Sequence, residues 1–284
     1  MILVMGASGN IGRELVKELT AQGATFRAGY RSDEQAAEAK QSGIASVILD
    51  YAQPDTLEAA FEGIERVFLV SPPSPHLAEL ESNVVTAAKQ MDVRHIVKLS
   101  VWRAEDGYTF AQPHYEIEQM IRASGLNFTF LRPNGFMQNM LGNAASIQSQ
   151  GAIYMPEGDT QVSEVDVRDI AQVAAAALTG AGHEGQTYTL SGPESLTNAE
   201  KAQRLSEALN KPVAYVPLPD AQWKGALMGY GVPEWQVDAL INLIHFYQTG
   251  AASEVTPWVE TVTGHPPISY RQFLQDYKPA FQSS

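Results

Sequence analysis

Two rhythms of apolar and polar positions run through the first half of the chain. Short strand-like runs stand at Ile2–Met5, Thr25–Tyr30, Ser46–Leu49, Arg66–Val70, His95–Leu99 and Phe128–Leu131. Between them, apolar residues recur at helical spacing: Ile11, Leu15 and Leu19; Leu57 and Phe61 within Pro54–Phe61; Leu80, Val84 and Ala88; Ile117 and Ile121. Strands alternating with amphipathic helices predict βαβ units and an α/β fold with a parallel sheet. Right-handed crossovers make that sheet doubly wound, with the ligand cleft at the carboxyl ends of its strands.

The second half is less regular. Asp169–Leu178 predicts a short, Ala-rich, buried helix, and Gln186–Leu190 a strand returning to the same sheet. Thr197-Asn198-Ala199-Glu200 fits a capping box that opens a helix through Leu209. Pro233–Tyr247 predicts another helix, with Val237, Leu240, Ile241 and Ile244 on one face. The expected division is a sheet domain over 1–134 and a smaller, mostly helical C-terminal lobe over 135–284, with about 165–191 returning to the sheet domain.

Composition narrows the chemistry. The 284 residues include no Cys, which removes disulfides, thiolate nucleophiles and Cys-ligated metals. Acidic residues outnumber basic ones 32 to 19, a formal net charge of −13 that disfavours nucleic acid and anionic membrane surfaces. A small anion is still within reach of backbone N–H groups and one or two Arg. No apolar run approaches the ~18 residues of a membrane span. The first strand begins at the N-terminus, so no targeting segment is expected, and a cytoplasmic location is.

The sharpest motif is Gly6-Ala7-Ser8-Gly9-Asn10-Ile11-Gly12, which follows a predicted strand and opens a predicted helix. Glycines at this spacing permit a tight turn, close approach of a pyrophosphate and packing of helix on strand. Cofactor-binding candidates are therefore Gly6, Ser8, Gly9, Asn10, Ile11 and Gly12. The second strand ends in Tyr30-Arg31-Ser32 instead of Asp or Glu. Arg31 can fork onto a 2′-phosphate, with Ser32 as a second donor, which favours NADP(H) over NAD(H). Asp33 lies two residues on and keeps the alternative open. Asp50 and Tyr51 end the third strand, as adenine contacts or, for Asp50, as a helix cap.

These residues resemble the NmrA-like branch of the atypical short-chain dehydrogenase/reductases. The resemblance extends through Asp50–Pro54, Pro113-His114-Tyr115-Glu116-Ile117-Glu118, Phe130–Phe136 and Val165–Ala171, covering residues 1 to about 190 well and the remainder in outline. It implies a Rossmann domain with a small C-terminal lobe and the nicotinamide between them. Members include NADPH-dependent quinone reductases, triphenylmethane-dye and azo-dye reductases, and NADP-sensing regulators.

The chain departs from the main branch of that superfamily. No Tyr has a Lys four residues later; Tyr115 is followed there by Gln119. Ser100 stands where that branch carries its serine, without the tyrosine partner, and is grouped with the cofactor candidates. His114 and Glu118 lie four apart on one helix face and are the candidate catalytic pair. A carboxylate beside an imidazole fixes its tautomer and raises its pKa, so such a His would donate a proton, hold the ribose or shape the site. Alternatively it is bonded only to its own i+4 Glu. Ser71 and Pro72 follow the fourth strand as further cofactor contacts; His76, Asn134, Phe136, Met137 and Asn139 are the candidate substrate residues. No metal ligands are expected.

The reading that follows is an NADPH-dependent oxidoreductase passing hydride directly to a small electrophilic aromatic such as a quinone or dye. The alternative is a non-catalytic NADP(H)-sensing regulator, for which Gly229–Trp258 would be a partner surface. A small-molecule substrate and a homodimer are the expected partners.

Overall fold

A computed structural model describes residues 1–282. Along the chain its elements run β1 (Ile2–Val4), α1 (Asn10–Ala21), β2 (Phe26–Tyr30), α2 (Asp33–Gln41), β3 (Ser46–Ile48), α3 (Pro54–Phe61), β4 (Arg66–Leu69), α4 (Leu77–Gln90), β5 (His95–Leu99), α5 (Ala111–Ser124) and β6 (Asn127–Pro133). They continue with α6 (Ala144–Gln150), β7 (Ala152–Met155), α7 (Val167–Thr179), β8 (Gln186–Leu190), α8 (Asn198–Leu209) and β9 (Ala214–Pro217). The chain closes through α9 (Asp220–Gly229), α10 (Glu234–Phe246), α11 (Trp258–Thr263), α12 (Tyr270–Asp276) and α13 (Lys278–Phe281).

These elements form two compact units. The first comprises residues 1–107, 111–133 and 167–189; the second comprises 108–110, 134–166 and 190 onward. The first carries a seven-stranded sheet in the order β3-β2-β1-β4-β5-β6-β8, and β1 through β6 pair in parallel. The strand order reverses between β1 and β4, so the switch point of this Rossmann sheet lies where Met5-Gly6 and Val70-Ser71 leave it.

Apolar periodicity explains its layers. Ile11, Leu15 and Leu19 of α1 are buried, as are Ile170, Val173, Ala174 and Ala177 of the Ala-rich α7, and these two helices pack together. Another cluster joins Leu3, Met5 and Leu69 of the sheet region to Leu57 and Phe61 of α3, Val84 and Ala88 of α4, and Ile117 and Ile121 of α5. Each fully buried Leu, Val or Phe removes apolar surface worth about 1.5–3 kcal/mol.

The second unit has its own core, built from Met137, Met140, Ile147, Ile153, Leu205, Tyr270, Phe273 and Phe281. The capping box of α8 forms as expected: Glu200 N donates to Thr197 Oγ1 at 3.2 Å, and Thr197 N donates to Glu200 Oε2 at 2.8 Å. The unit is not purely helical, however. Ala152–Met155 pairs in parallel with Ala214–Pro217, two four-residue strands too short to show a period in the sequence. Helix α2 was also absent from the sequence reading, because only Ala36 and Ala39 are buried along it and its apolar stripe is faint. In the Gly229–Trp258 region, Phe246 stacks on Tyr108 with ring centroids 4.5 Å apart, whereas Trp235 is exposed.

Candidate functional site

The site begins with backbone. Gly6 leaves β1 with φ +63°, the left-handed region that favours glycine, and a Cβ there would lie 2.7 Å from Val70 Cγ1. Gly9 N donates to Gly6 O at 3.0 Å and closes the turn. Gly9 is then the extended N-cap of α1, with no side-chain oxygen to occupy the first N–H groups. A Cβ on Gly12 would fall 2.1 Å from Gly6 O, so the helix seats directly on the loop. Ser8, Gly9 and Asn10 are exposed, whereas the Ile11 side chain is buried in the core, which leaves Ile11 its N–H to offer. Open N–H donors at a helix start, with no side chain in the way, fit a pyrophosphate.

At the end of β2 a Cβ on Gly29 would meet Leu49 Cδ2 at 2.5 Å. Arg31 follows, exposed and without a partner among the described residues. Ser32 caps α2, its Oγ accepting from Gln35 N at 3.5 Å, and Asp33 is the first residue of that helix. The position after the strand is therefore held by a free cation and a hydroxyl.

After β3, Asp50 closes its own turn. Its Oδ1 accepts from Ala52 N at 3.0 Å and its Oδ2 from Gln53 Nε2 at 3.4 Å, an Asx turn ahead of α3 and not a cap on it, since the N-cap of that helix is Gln53 with no side-chain bond. Tyr51 packs against the core, and its hydroxyl donates to Val70 O at 2.7 Å. Burial pushes the phenol pKa far up, so it stays a neutral donor bracing the end of β4. Beyond β4, Ser71 is half-buried and Pro72 exposed. His76 precedes α4, exposed and 3.4 Å from Glu79 Oε2.

The α5 region differs from expectation. Glu118 is fully buried and does not pair with His114. It takes a bidentate grip from Arg132 of β6, with Nε–Oε1 at 2.9 Å and Nη2–Oε2 at 2.5 Å. Ser100, itself 2% exposed, donates its hydroxyl to Glu118 Oε1 at 2.5 Å and so faces inward. The remaining arm of Arg132 reaches Glu105. Spacing of four does put both side chains on α5, but a fork-shaped guanidinium on the neighbouring strand matches a carboxylate better than an imidazole does.

His114 meets a cation instead. Lys98 of β5, 0% exposed, donates to His114 Nδ1 at 3.2 Å and pairs with the equally buried Glu81 of α4 at 2.5 Å. Burial and the Lys98 charge pull the His114 pKa well below its ordinary value. The expected pKa rise is thus reversed. Lys98 and Glu81 escaped the sequence reading because each sits among helix or strand residues of the expected period. A charged residue inside an apolar strand was the available signal.

The substrate candidates lie in the second unit, apart from His76, and separate by burial. Asn134 is 2% exposed, its Nδ2 donating to Ser163 Oγ at 2.9 Å and Ala252 O at 2.8 Å, and its Oδ1 accepting from Gly135 N. Met137 is 1% exposed within the core. Both are structural side chains and not pocket walls, because all their surface is taken up by protein. Phe136 is half-buried and Asn139 exposed, so these two remain free to meet a ligand.

Sequence comparison bears directly on the glycine cradle. A family profile described as NAD(P)H-binding matches residues 6–181. The chain belongs to this NAD(P)H-binding family. NAD(P)H azoreductase of Xenophilus azovorans is 38% identical to it over 283 residues, 99% of each chain. Among solved structures, an NADPH-dependent quinone oxidoreductase from Escherichia coli complexed with NADPH superposes with a TM-score of 0.90 at 27% identity, covering 98% of this chain and 100% of that one. A Citrobacter sp. triphenylmethane reductase complexed with NADP(H) gives 0.88 at 29%, covering 97% and 99%.

For a member of an NAD(P)H-binding family, the residues that fit a dinucleotide are the Gly6–Gly12 backbone for the pyrophosphate and Arg31 with Ser32 for an anionic group at the end of β2. A dinucleotide bound there supplies the hydride-carrying nicotinamide.

Proposed function

We propose that this protein is an NADPH-dependent reductase that passes hydride directly to a small electrophilic aromatic compound, a quinone or an azo or triphenylmethane dye. The observation that carries this reading is a dinucleotide cradle at the carboxyl edge of a sheet whose β5–α5 side carries a histidine held in its neutral form, with no Tyr-x-x-x-Lys dyad in the chain. A substrate that accepts hydride without a protein acid suits such a site, where proximity and orientation do the work. The names of the azoreductase, quinone oxidoreductase and triphenylmethane reductase relatives support the same substrate class. Gly6, Ser8, Gly9, Asn10, Ile11 and Gly12 hold the pyrophosphate, Arg31 and Ser32 read the 2′-phosphate, and Phe136 and Asn139 contact the substrate.

The Cys-free composition suits a reducing compartment, and a cytoplasmic location is the one we expect. A homodimer is the assembly we expect, and light scattering over a concentration series tests it.

The deciding experiment incubates pure protein with NADPH or NADH and a panel of quinones, azo dyes and triphenylmethane dyes, following cofactor absorbance. Turnover of at least one class, faster with NADPH, is the expected result. Tight NADP binding with no turnover on any of them would replace the reductase reading with that of a sensor.

A further inference from the structure

The buried cation of β5 has a valence that determines its neighbour's state. A Lys ammonium carries three N–H donors and no acceptor. Lys98 Nζ has three acceptors around it: Glu81 Oε2 at 2.5 Å, Leu99 O at 3.2 Å and His114 Nδ1 at 3.2 Å. Every donor is engaged, and Lys98 and Glu81 are both shut away from solvent. An imidazole facing such an ammonium must present a lone pair at Nδ1. Its own proton is then on Nε2, and a second proton would set two cations and two donors against each other at 3.2 Å.

The other charged groups near this end of α5 are engaged elsewhere. Arg132 and Glu105 are paired with each other and, through Arg132, with Glu118; Arg103 on the turn before α5 lies 3.8 Å from Asp106. Lys98 is the group whose charge acts on the ring. Among the described residues nothing bonds to Nε2 of the half-buried His114. Lys98 is the penultimate residue of β5 and His114 lies in the first turn of α5, so both belong to the carboxyl edge of the sheet that carries the glycine cradle.

We propose that Lys98 is the positioning residue for His114: it holds the imidazole neutral with its proton on Nε2, so that His114 meets its ligand as a hydrogen-bond donor and does not shuttle protons. This rests on the reductase reading for the ligand, an acceptor oxygen or nitrogen of the dinucleotide or of the aromatic substrate. Proton balance follows. A quinone that has received hydride is a hydroquinone monoanion, and its proton comes from water while the imidazole keeps its own.

Ring 15N spectra of histidine-labelled protein test this without substrate, with His114 picked out of the six histidines by its loss in His114→Gln. We expect Nε2 protonated and Nδ1 bare, unchanged between about pH 5.5 and 8, a window that spans the ordinary histidine value. In Lys98→Met/Glu81→Leu, which removes both charges and leaves no orphan ion, the ring should sample both tautomers and its titration should move upward. A wild-type ring that carries its proton on Nδ1 or titrates near its ordinary value overturns the proposal, as does a double variant whose His114 spectrum matches wild type.

Kinetics separate the two acceptors. His114→Leu should lose roughly tenfold, the worth of one hydrogen bond, whereas His114→Gln keeps an N–H and should retain most of the activity. A loss confined to NADPH affinity assigns the acceptor to the cofactor, and a loss in kcat at saturating NADPH assigns it to the substrate. No loss in either overturns the donor role. Failure of the whole substrate panel would remove the reductase reading while leaving the tautomer result intact.

Discussion

Two regions at the same edge of the sheet are made by opposite means. The Gly6–Gly12 loop works through main chain: its side chains are absent, exposed or buried away, and its geometry is set by contacts such as Gly12 on Gly6 that span a few residues. Beneath α5 the polar interior works through side chains. Glu81, Lys98, His114, Ser100, Glu118 and Arg132 come from α4, β5, the loop after it, α5 and β6, and none of these contacts is nearer than 14 residues in sequence. A backbone seat tolerates changes in neighbouring side chains but no added Cβ. A buried ionic network tolerates neither loss of a partner nor a change of geometry.

The largest test of this contrast is Glu118→Ala. It leaves Arg132, whose side chain is only 12% exposed, with Glu105 as its remaining partner, and Ser100 without its acceptor. We expect a loss of about 3–5 kcal/mol in urea unfolding, as for a broken buried pair. A loss under about 1 kcal/mol would mean the network is solvated like a surface pair.

Gly12→Ala comes next. The new methyl would overlap Gly6 O, and overpacking of this kind costs about 1–3 kcal/mol and displaces the helix from the loop. Fluorescence titration should show NADPH affinity falling further than stability does. Wild-type affinity in this variant would show that the cradle does not depend on the seating of α1.

Arg31→Ala should leave the fold alone and weaken NADPH about thirtyfold, near 2 kcal/mol for a charged hydrogen bond, with little effect on NADH. Equal losses for both cofactors would show that Arg31 does not read the 2′-phosphate.

The smallest effect is on pH dependence. Burial and Lys98 lower the His114 pKa in the folded state, so the unfolded chain binds the proton first as pH falls. Stability contributed by the neutral ring is complete above about 6.5 and is lost below it, down to the folded value. His114→Gln should therefore flatten the acid limb of a stability–pH curve by about 1 kcal/mol near pH 5.5. An unchanged limb would place the acid sensitivity elsewhere; His95, whose pKa is also lowered by burial, is the next residue to replace.

The strands and most helices of the first unit were legible because each buries a regular stripe, and burial imposes the same period on sequence and structure. Arg31 was legible for another reason: it follows a strand by one residue, so its position is a matter of counting. His114 and Glu118 were read correctly as sharing a helix and wrongly as partners. A helix spacing states which residues face the same way, and not what another strand will bring to meet them. Met137 and Asn134 show the same limit, since their burial depends on the second unit's own core and on Ser163 and Ala252.

By itself the sequence determined what short-range backbone chemistry controls: the alternation of strand and helix, the glycine turn with room for an anion, the cap of α8 and the absence of a tyrosine–lysine dyad. Only the tertiary structure decided which charges meet. Pairing Lys98 with Glu81 and His114, and Arg132 with Glu118, depends on strands and helices docking side by side, and a buried charge takes its state from whatever that docking places within about 3 Å.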